Sequence, residues 1–199
     1  MKIVVLGAGV QGTVFAVRLA QAGHAVTLIA RPERAAELHN SGAAIQDLKT
    51  LQSSTLALPI LERLPLDLAA DVCLVTVRRE QIEAVLPALA AATQIPRIVF
   101  LVNHANGSEA LVASLGRSLV VLAFPGIAGE REGGIVRYID IPQQRTVVDR
   151  SAPDILALFR EAGIAAQPVR DMDAWLQRHA VFITAIAGSL SSLTQKRIS

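Results

Sequence analysis

Residues 1–31, MKIVVLGAGVQGTVFAVRLAQAGHAVTLIAR, contain a complete strand–turn–helix–strand unit. The apolar run Lys2 to Leu6 leads into a glycine-rich turn, which a helical pattern and a second apolar run, Ala25 to Ala30, follow. In a dinucleotide site the first glycine permits the tight turn, the second lets the backbone approach the pyrophosphate, and the third lets the helix pack closely. The helix N-terminus then offers N–H groups and a positive dipole end to phosphates. The residues predicted to bind a cofactor here are Gly7, Gly9, Val10, Gln11 and Gly12.

The end of the second strand predicts which dinucleotide binds. Sites that prefer NAD place Asp or Glu there to hold the ribose 2′-hydroxyl, but this chain has Ala30 and Arg31, with Arg34 a turn further on. A guanidinium group binds a 2′-phosphate through charge-assisted hydrogen bonds, whereas a carboxylate would repel it. The alternative is that both arginines are simply solvated, although positive charge near a helix N-terminus is mildly unfavourable. We therefore predict NADP as the cofactor.

The composition excludes several classes of protein. Hydrophobic residues make up 52% of the 199 residues, which is enough for a large core. A net charge of +2 without a dense Lys/Arg run argues against nucleic acid as a partner. The single cysteine, Cys73, lies in an apolar run and is expected to be a buried thiol, in keeping with a reducing compartment. No run resembles a signal peptide or reaches the length of a membrane span, so we expect a cytoplasmic protein without a membrane partner.

Strands and helices alternate along the chain, which predicts a Rossmann-type α/β fold with a doubly wound, mostly parallel sheet. Residues 43–58 contain two short extended stretches, expected to form a hairpin on the edge of that sheet. Extended stretches at Ile135 to Ile141 and Arg145 to Val148 are expected to extend the same sheet in antiparallel fashion. We assign residues 1–168 to a nucleotide-binding domain and 169–199 to a helical segment that begins a truncated C-terminal domain.

Three further loops are expected to face the cofactor, because ligands of open α/β sheets gather at the carboxyl ends of the strands. In Thr76-Val77-Arg78, the arginine is placed to reach a phosphate, or else is a solvated charge. In the loop of Asn103 and His104, amide and imidazole groups suit a nicotinamide carboxamide or a substrate carbonyl, although both are also ordinary turn residues. The third loop, Phe124-Pro125-Gly126-Ile127, is expected to provide apolar lining of a nicotinamide pocket, or else is a simple turn. No cluster has metal-ligand spacing, so no metal is predicted.

The chain resembles the ketopantoate reductase family (2-dehydropantoate 2-reductases and relatives), most clearly over Met1 to Val169. The resemblance rests on GAGVQG, LIAR, LVTVRREQ, VNHANGSEAL and FPGIAGEREGGIVRY. It implies reduction of a 2-keto acid by hydride transfer from NADPH, with the site between an N-terminal nucleotide-binding domain and a helical domain. It also implies that Arg31 contacts the 2′-phosphate, that Arg78 assists it, and that His104 stands at the position of a family asparagine.

Two positions depart from the family pattern. The resemblance places Arg178 where the family has its catalytic lysine, and Phe182 where it has a substrate-binding asparagine. Arginine is essentially always protonated, so it stabilises a developing alkoxide but is a poor proton donor. Two hypotheses therefore stand: an NADPH-dependent reductase of a 2-dehydropantoate-like keto acid, with Arg178 as its catalytic residue, or a non-catalytic NADP(H)-binding module or sensor subunit.

The last helical segment predicts an oligomer. Its apolar residues spread around most of the helix surface, so it should pack on this domain or on a second copy. We expect a homodimer through this segment, whose apolar residues include Ala180, Phe182, Ile183, Ile186, Ala187 and Leu190.

Overall fold

The structure, a computed structural model, describes residues 1–102 and 107–182. The strands are β1 (Lys2–Leu6), β2 (Ala25–Ile29), β3 (Ala43–Asp47), β4 (Ser53–Leu56), β5 (Ile60–Leu61), β6 (Val72–Val75), β7 (Ile98–Leu101), β8 (Val120–Phe124), β9 (Ile127–Glu132), β10 (Ile135–Asp140), β11 (Thr146–Asp149) and β12 (Ala166–Val169). The helices are α1 (Val10–Gln21), α2 (Pro32–Ser41), α3 (Ile82–Ala91), α4 (Glu109–Leu115) and α5 (Pro153–Glu161), and residues 172–182 are also helical.

The main sheet has eight strands in the order β12-β11-β8-β7-β6-β1-β2-β5. The six neighbouring strands β8, β7, β6, β1, β2 and β5 all run parallel, and β11 pairs with β8 in antiparallel fashion. Strand order reverses at β1, because β2 lies on one side of it and β6 on the other. A mostly parallel, doubly wound sheet confirms the predicted fold class.

A second sheet corrects one expectation about the strands. The hairpin of β3 and β4 does form, but β3 pairs with β10, and the resulting four-stranded sheet has the order β4-β3-β10-β9. The hairpin and the 135–140 strand therefore lie outside the main sheet, whereas the strand at 146–149 belongs to it as predicted. The inner face of the second sheet covers α1 with Ile45, Val136 and Tyr138, which are buried. That face gives α1 a second apolar surface to pack on.

Helix α1 lies between the two sheets, and this position explains its composition. Most of its side chains are buried, including Val14, Phe15 and Leu19, so it is apolar on more than one face. The Phe15 ring meets Phe159 of α5 edge-on at a centroid distance of 5.2 Å, a favoured aromatic geometry. The helix that follows the glycine turn is therefore held firmly in place.

Three further expectations concern Cys73, a membrane span and a metal site. Cys73 is fully buried, and burial raises the pKa of its thiol to about 12, which confirms an inert, buried residue. Within the described ranges, no helix has the length and apolar character needed to cross a membrane. The same ranges contain no group of three His, Cys, Asp or Glu side chains arranged to hold a metal ion.

Candidate cofactor-binding site

The glycine turn lies at the carboxyl edge of the main sheet, at the point where strand order reverses. It connects β1 to α1 and is flanked by the ends of β2 and β6. The N–H of Gly7 donates to the Ile29 carbonyl at 3.0 Å, and the N–H of Thr76 donates to the Leu6 carbonyl at 2.9 Å. Crevices at such switch points are where open α/β sheets bind their ligands.

Each glycine of the turn has a distinct structural reason. Gly7 has a φ of +114°, which side chains rarely tolerate. A methyl group at Gly12 would overlap the Gly7 carbonyl oxygen and lie 2.5 Å from Thr76 Oγ1, so this glycine allows α1 to start close to the turn. A Cβ at Gly9 would meet no atom of the described residues within 4 Å, and its backbone is extended (φ −76°, ψ −165°). In this part of the chain neither contact nor conformation requires glycine at position 9, but close approach of a ligand to the backbone would.

The N–H groups around this opening have no partner among the described residues. No side chain caps α1 and no acidic residue lies in its first turn, so the N–H groups of Val10, Gln11 and Gly12 have no intrahelical partner. No described residue accepts a hydrogen bond from the N–H of Ala8 or Gly9. Free N–H groups at a helix N-terminus, next to space that a Cβ would fill, fit the diphosphate of a dinucleotide. The side chain of Val10, by contrast, packs toward Gly129 of β9.

The Thr76 side chain, at the end of β6, hydrogen-bonds to the backbone of the glycine turn. Its hydroxyl donates toward the Gly7 carbonyl at 2.8 Å, with the Leu6 carbonyl at 3.2 Å, and the residue is buried. Because C=O and N–H of one peptide point in opposite directions, holding the Gly7 carbonyl also fixes the direction of the Ala8 N–H. Sequence reasoning did not single out this side chain, although a threonine directly after an apolar parallel strand is a usable signal.

The two arginines after β2 have different environments. Arg31 is exposed and precedes α2 in extended conformation (φ −62°, ψ 155°), with Pro32 as the first helical residue. It therefore remains available to an anionic ligand at the end of β2. Arg34 is 9% exposed and forms contacts within the protein, including an ion pair with Glu37 at 2.8 Å. The expectation that both arginines face a 2′-phosphate is corrected for Arg34, because its guanidinium group is turned inward.

Arg78 lies at the same edge, after β6. Its side chain is 83% exposed, and its nearest acidic atom is Glu80 Oε1 at 4.0 Å. An exposed pair at this distance contributes little energy, so the guanidinium group is free to turn toward a ligand. Because β2 and β6 both flank β1, Arg31 and Arg78 follow strands that lie two strand spacings, roughly 10 Å, apart.

The predicted loop residues Asn103 and His104 lie outside the described residues. Next to them, Ser108 Oγ donates to Asp173 Oδ2 at 2.7 Å, which ties the start of α4 to the helical residues 172–182. Asp173 Oδ1 is buried and has no hydrogen-bond partner among the described residues. The last described helix is therefore anchored beyond the end of β7.

An aromatic cluster anchors the same helix beyond the end of β8. The rings of Trp175 and His179 stack at 4.9 Å with 5° between their planes, and Phe124 meets the His179 ring at 4.4 Å. His179 is buried, and this burial lowers the pKa of its imidazole. Phe124 thus contacts this helix, and its place in a nicotinamide pocket stays a prediction. Sequence reasoning found no signal for a role of Trp175 or His179.

Arg178 lies on the exposed side of this helix. No ion pair or hydrogen bond joins its side chain to a described residue, and Phe182, one turn later, is 58% exposed. The structure therefore places the predicted catalytic residue on the helix that borders the carboxyl edge, one position from the buried His179. Of the predicted homodimer residues, those from Ile183 onward lie outside the described part of the chain.

Solved structures share this fold. A PanE/ApbA family ketopantoate reductase from Ralstonia eutropha JMP134 superposes with a TM-score of 0.76 at 24% identity, over 88% of this chain and 59% of that one. A 2-dehydropantoate 2-reductase from Methylococcus capsulatus gives 0.75 at 21% identity, over 98% and 64%. D-mandelate dehydrogenase, solved with NADH and anilino(oxo)acetate, gives 0.76 at 18% identity, over 90% and 60%. This chain thus spans about three-fifths of the length of these proteins.

The sequence itself was also compared with known proteins and families. No curated protein matches it. The family profile described as ketopantoate reductase PanE/ApbA matches residues 3–152, well over half of the chain. Together with the glycine turn and the sheet order, this match shows that the chain belongs to the ketopantoate reductase PanE/ApbA family.

Proposed function

We propose that the chain is the nucleotide-binding part, residues 1–168, and the start of the substrate-binding part of an NADPH-dependent 2-keto acid reductase. The observation that carries this proposal is the open glycine turn with its unused N–H groups, next to an exposed arginine at the end of β2. Membership of the ketopantoate reductase family supports the reaction class.

Different residues would bind the diphosphate and the 2′-phosphate of the cofactor. The N–H groups of Gly9 and of the first turn of α1 would bind the diphosphate. Arg31, after β2, would bind the 2′-phosphate, with Arg78, after β6, assisting it. Bound NADPH supplies the hydride that converts a carbonyl carbon to an alcohol carbon. The protein contributes orientation of the reacting groups and stabilisation of the charge that develops on the carbonyl oxygen.

Arg178 is the residue of the described chain that we assign to this charge stabilisation. It is exposed on the helix that borders the carboxyl edge of the sheet. A guanidinium group there would attract the carboxylate of a 2-keto acid and stabilise a developing alkoxide. Because arginine holds its protons tightly, the proton that completes the alcohol would come from water or another group.

Turnover tests this proposal. Loss of NADPH absorbance should follow addition of ketopantoate or another 2-keto acid of a panel, and Arg178→Gln should slow it by at least tenfold, as expected for loss of one charge-assisted contact. A matched control is Gln177→Ala, its exposed neighbour. NADPH binding without turnover across the panel would overturn the catalytic part of the proposal.

The second candidate is an NADP(H)-binding module without catalysis. Two departures from the family pattern implied by the resemblance favour it: Arg178 stands where the catalytic lysine is expected, and Phe182, which is exposed, stands where the substrate-binding asparagine is expected. Under this candidate NADPH binds with the same preference over NADH, but no keto acid is reduced.

We also propose a homodimer through the last helix. Its described end exposes two adjacent apolar side chains, Val181 at 71% and Phe182 at 58%. Burial of this surface against a second copy would remove apolar area from water. Light scattering should give twice the chain mass, and Val181→Lys combined with Phe182→Lys should give a monomer. A monomeric wild-type chain would contradict the proposal.

A further inference from the structure

Arg34 is a buried cation beside the glycine turn. Its Nε lies 3.4 Å from the Ala8 carbonyl oxygen, and its Nη1 lies 2.8 Å from Glu37 Oε2 and 3.5 Å from the Gly134 carbonyl. Its Nη2 is buried without a hydrogen-bond partner in the described structure. The side chain is 10% exposed, while that of Glu37 is 50% exposed.

This arrangement is a poor source of stability. A guanidinium group loses most of its hydration on burial. The half-exposed carboxylate of Glu37 compensates only part of that loss, because the Nη2 nitrogen of Arg34 keeps no partner among the described residues. The burial of Nη2 also keeps that nitrogen away from a ligand. A different role must therefore explain why a charged side chain is directed at the turn.

The target of Arg34 is the peptide between Ala8 and Gly9. Arg34 Nε and Thr13 Oγ1, each at 3.4 Å, converge on the Ala8 carbonyl. Because a peptide is planar with C=O and N–H opposed, holding this carbonyl directs the Gly9 N–H to the other side. We propose that Arg34 is a positioning residue for the cofactor: it orients the Gly9 N–H toward the diphosphate and does not touch the 2′-phosphate. This inference rests on the proposed function.

The hairpin of β9 and β10 supports Arg34 from outside. Arg131 Nη1 of β9 binds the same Glu37 oxygen at 3.0 Å, and the Gly134 carbonyl of the hairpin turn faces Arg34. Arg34 and Arg131 together hold the pKa of the Glu37 carboxyl below its usual range, so it stays ionised and keeps both partners. The second sheet thereby takes part in shaping the turn.

Paired affinities for NADPH and NADH separate positioning from direct contact, because the two differ only in the 2′-phosphate. Arg34→Gln should raise both dissociation constants by about tenfold, the effect of weakening one hydrogen bond to a charged group, and should leave their ratio unchanged. Glu37→Gln, which keeps Arg34 but loosens it, should raise both by about threefold, since only part of one such bond is lost. Arg31→Gln should weaken NADPH alone.

The control is Arg97→Gln, which removes a comparable pair with Asp154 (3.1 Å) at the amino end of β7 and should change neither constant. Weaker binding of NADPH alone in Arg34→Gln would overturn the inference, because it would make Arg34 a phosphate ligand. Unchanged constants in Arg34→Gln would overturn it as well. If Arg34→Gln does not fold, unchanged dissociation constants for NADPH and NADH in Glu37→Gln would overturn the inference instead. A wild-type chain that binds neither dinucleotide removes the proposed function itself, whereas tight wild-type binding with unaffected variants removes only this inference.

Discussion

Alanine at Gly9 and at Gly12 should have opposite consequences. A Cβ at Gly12 would lie 2.5 Å from Thr76 Oγ1 and overlap the Gly7 carbonyl. Because non-bonded atoms stay about 3.5 Å apart and the Gly7 carbonyl oxygen is the closer of the two atoms, the start of α1 would have to move by about 1.5 Å. Overpacking of this kind costs about 3 kcal/mol of unfolding free energy. A Cβ at Gly9 meets no atom of residues 1–102 and 107–182 within 4 Å, and its backbone suits alanine. The unfolding free energy of Gly9→Ala should therefore lie within about 1 kcal/mol of wild type.

Cofactor binding should separate the two variants in the other direction. The new methyl group in Gly9→Ala lies where the diphosphate must approach, and loss of a hydrogen bond to a charged group weakens binding by about 10- to 150-fold. Urea denaturation measures the first quantity and NADPH titration the second. Ala22→Gly, at the C-cap of α1, is a control for an alanine–glycine exchange at the other end of the same helix and should leave NADPH binding unchanged. If Gly9→Ala bound NADPH as tightly as wild type, the argument that position 9 is kept open for a ligand would be refuted.

Three more predictions concern single side chains. Arg31→Glu should abolish any preference for NADPH over NADH in competition titrations, because a carboxylate repels a 2′-phosphate; an unchanged preference would remove Arg31 from the site. Thr76→Val should lower the unfolding free energy by about 1–3 kcal/mol, because the Gly7 carbonyl loses its hydroxyl partner, whereas Thr76→Ser should stay within about 1 kcal/mol. Burial lowers the pKa of His179 in the folded protein. As the pH falls, this imidazole is therefore protonated at a higher pH in the unfolded chain than in the folded protein, and the unfolding free energy should fall as the pH drops through about 6.5. Urea unfolding at pH 7.5 and 5.5 measures this, and His179→Phe should reduce the difference; an equal difference in both proteins would contradict it.

The parts of the fold that depend on residues close together in the chain could be predicted from the sequence. The order of apolar runs and glycines identified β1, α1 and β2 and the turn between them. Cys73 was recognised as buried because every residue around it is apolar. In these stretches the local pattern and the final environment agree, so few alternatives exist.

The second sheet could not be predicted in the same way. Residues 43–47 alternate as an edge strand of either sheet would, and the choice depends on pairing with β10, about ninety positions later in the chain. Strand patterns give the buried face but do not name the partner. The sequence therefore predicts the hairpin of β3 and β4, but the expectation that it lies on the edge of the main sheet is wrong.

The site residues show a similar division. The roles of Gly7 and Gly12 follow from the turn itself, but the difference between Arg31 and Arg34 depends on Glu37, Gly134 and the distant β9. On the last helix, one position separates the exposed Arg178 from the buried His179, since successive helical residues are rotated by about 100°.

A crystal structure of the complex with NADPH is the decisive experiment, because it shows the diphosphate and the 2′-phosphate of the cofactor at once. We expect the diphosphate within hydrogen-bond distance of the Gly9 N–H and of the first turn of α1, and the 2′-phosphate against the guanidinium group of Arg31. Density for NADPH elsewhere on the protein, or an empty crevice at saturating NADPH, would contradict it.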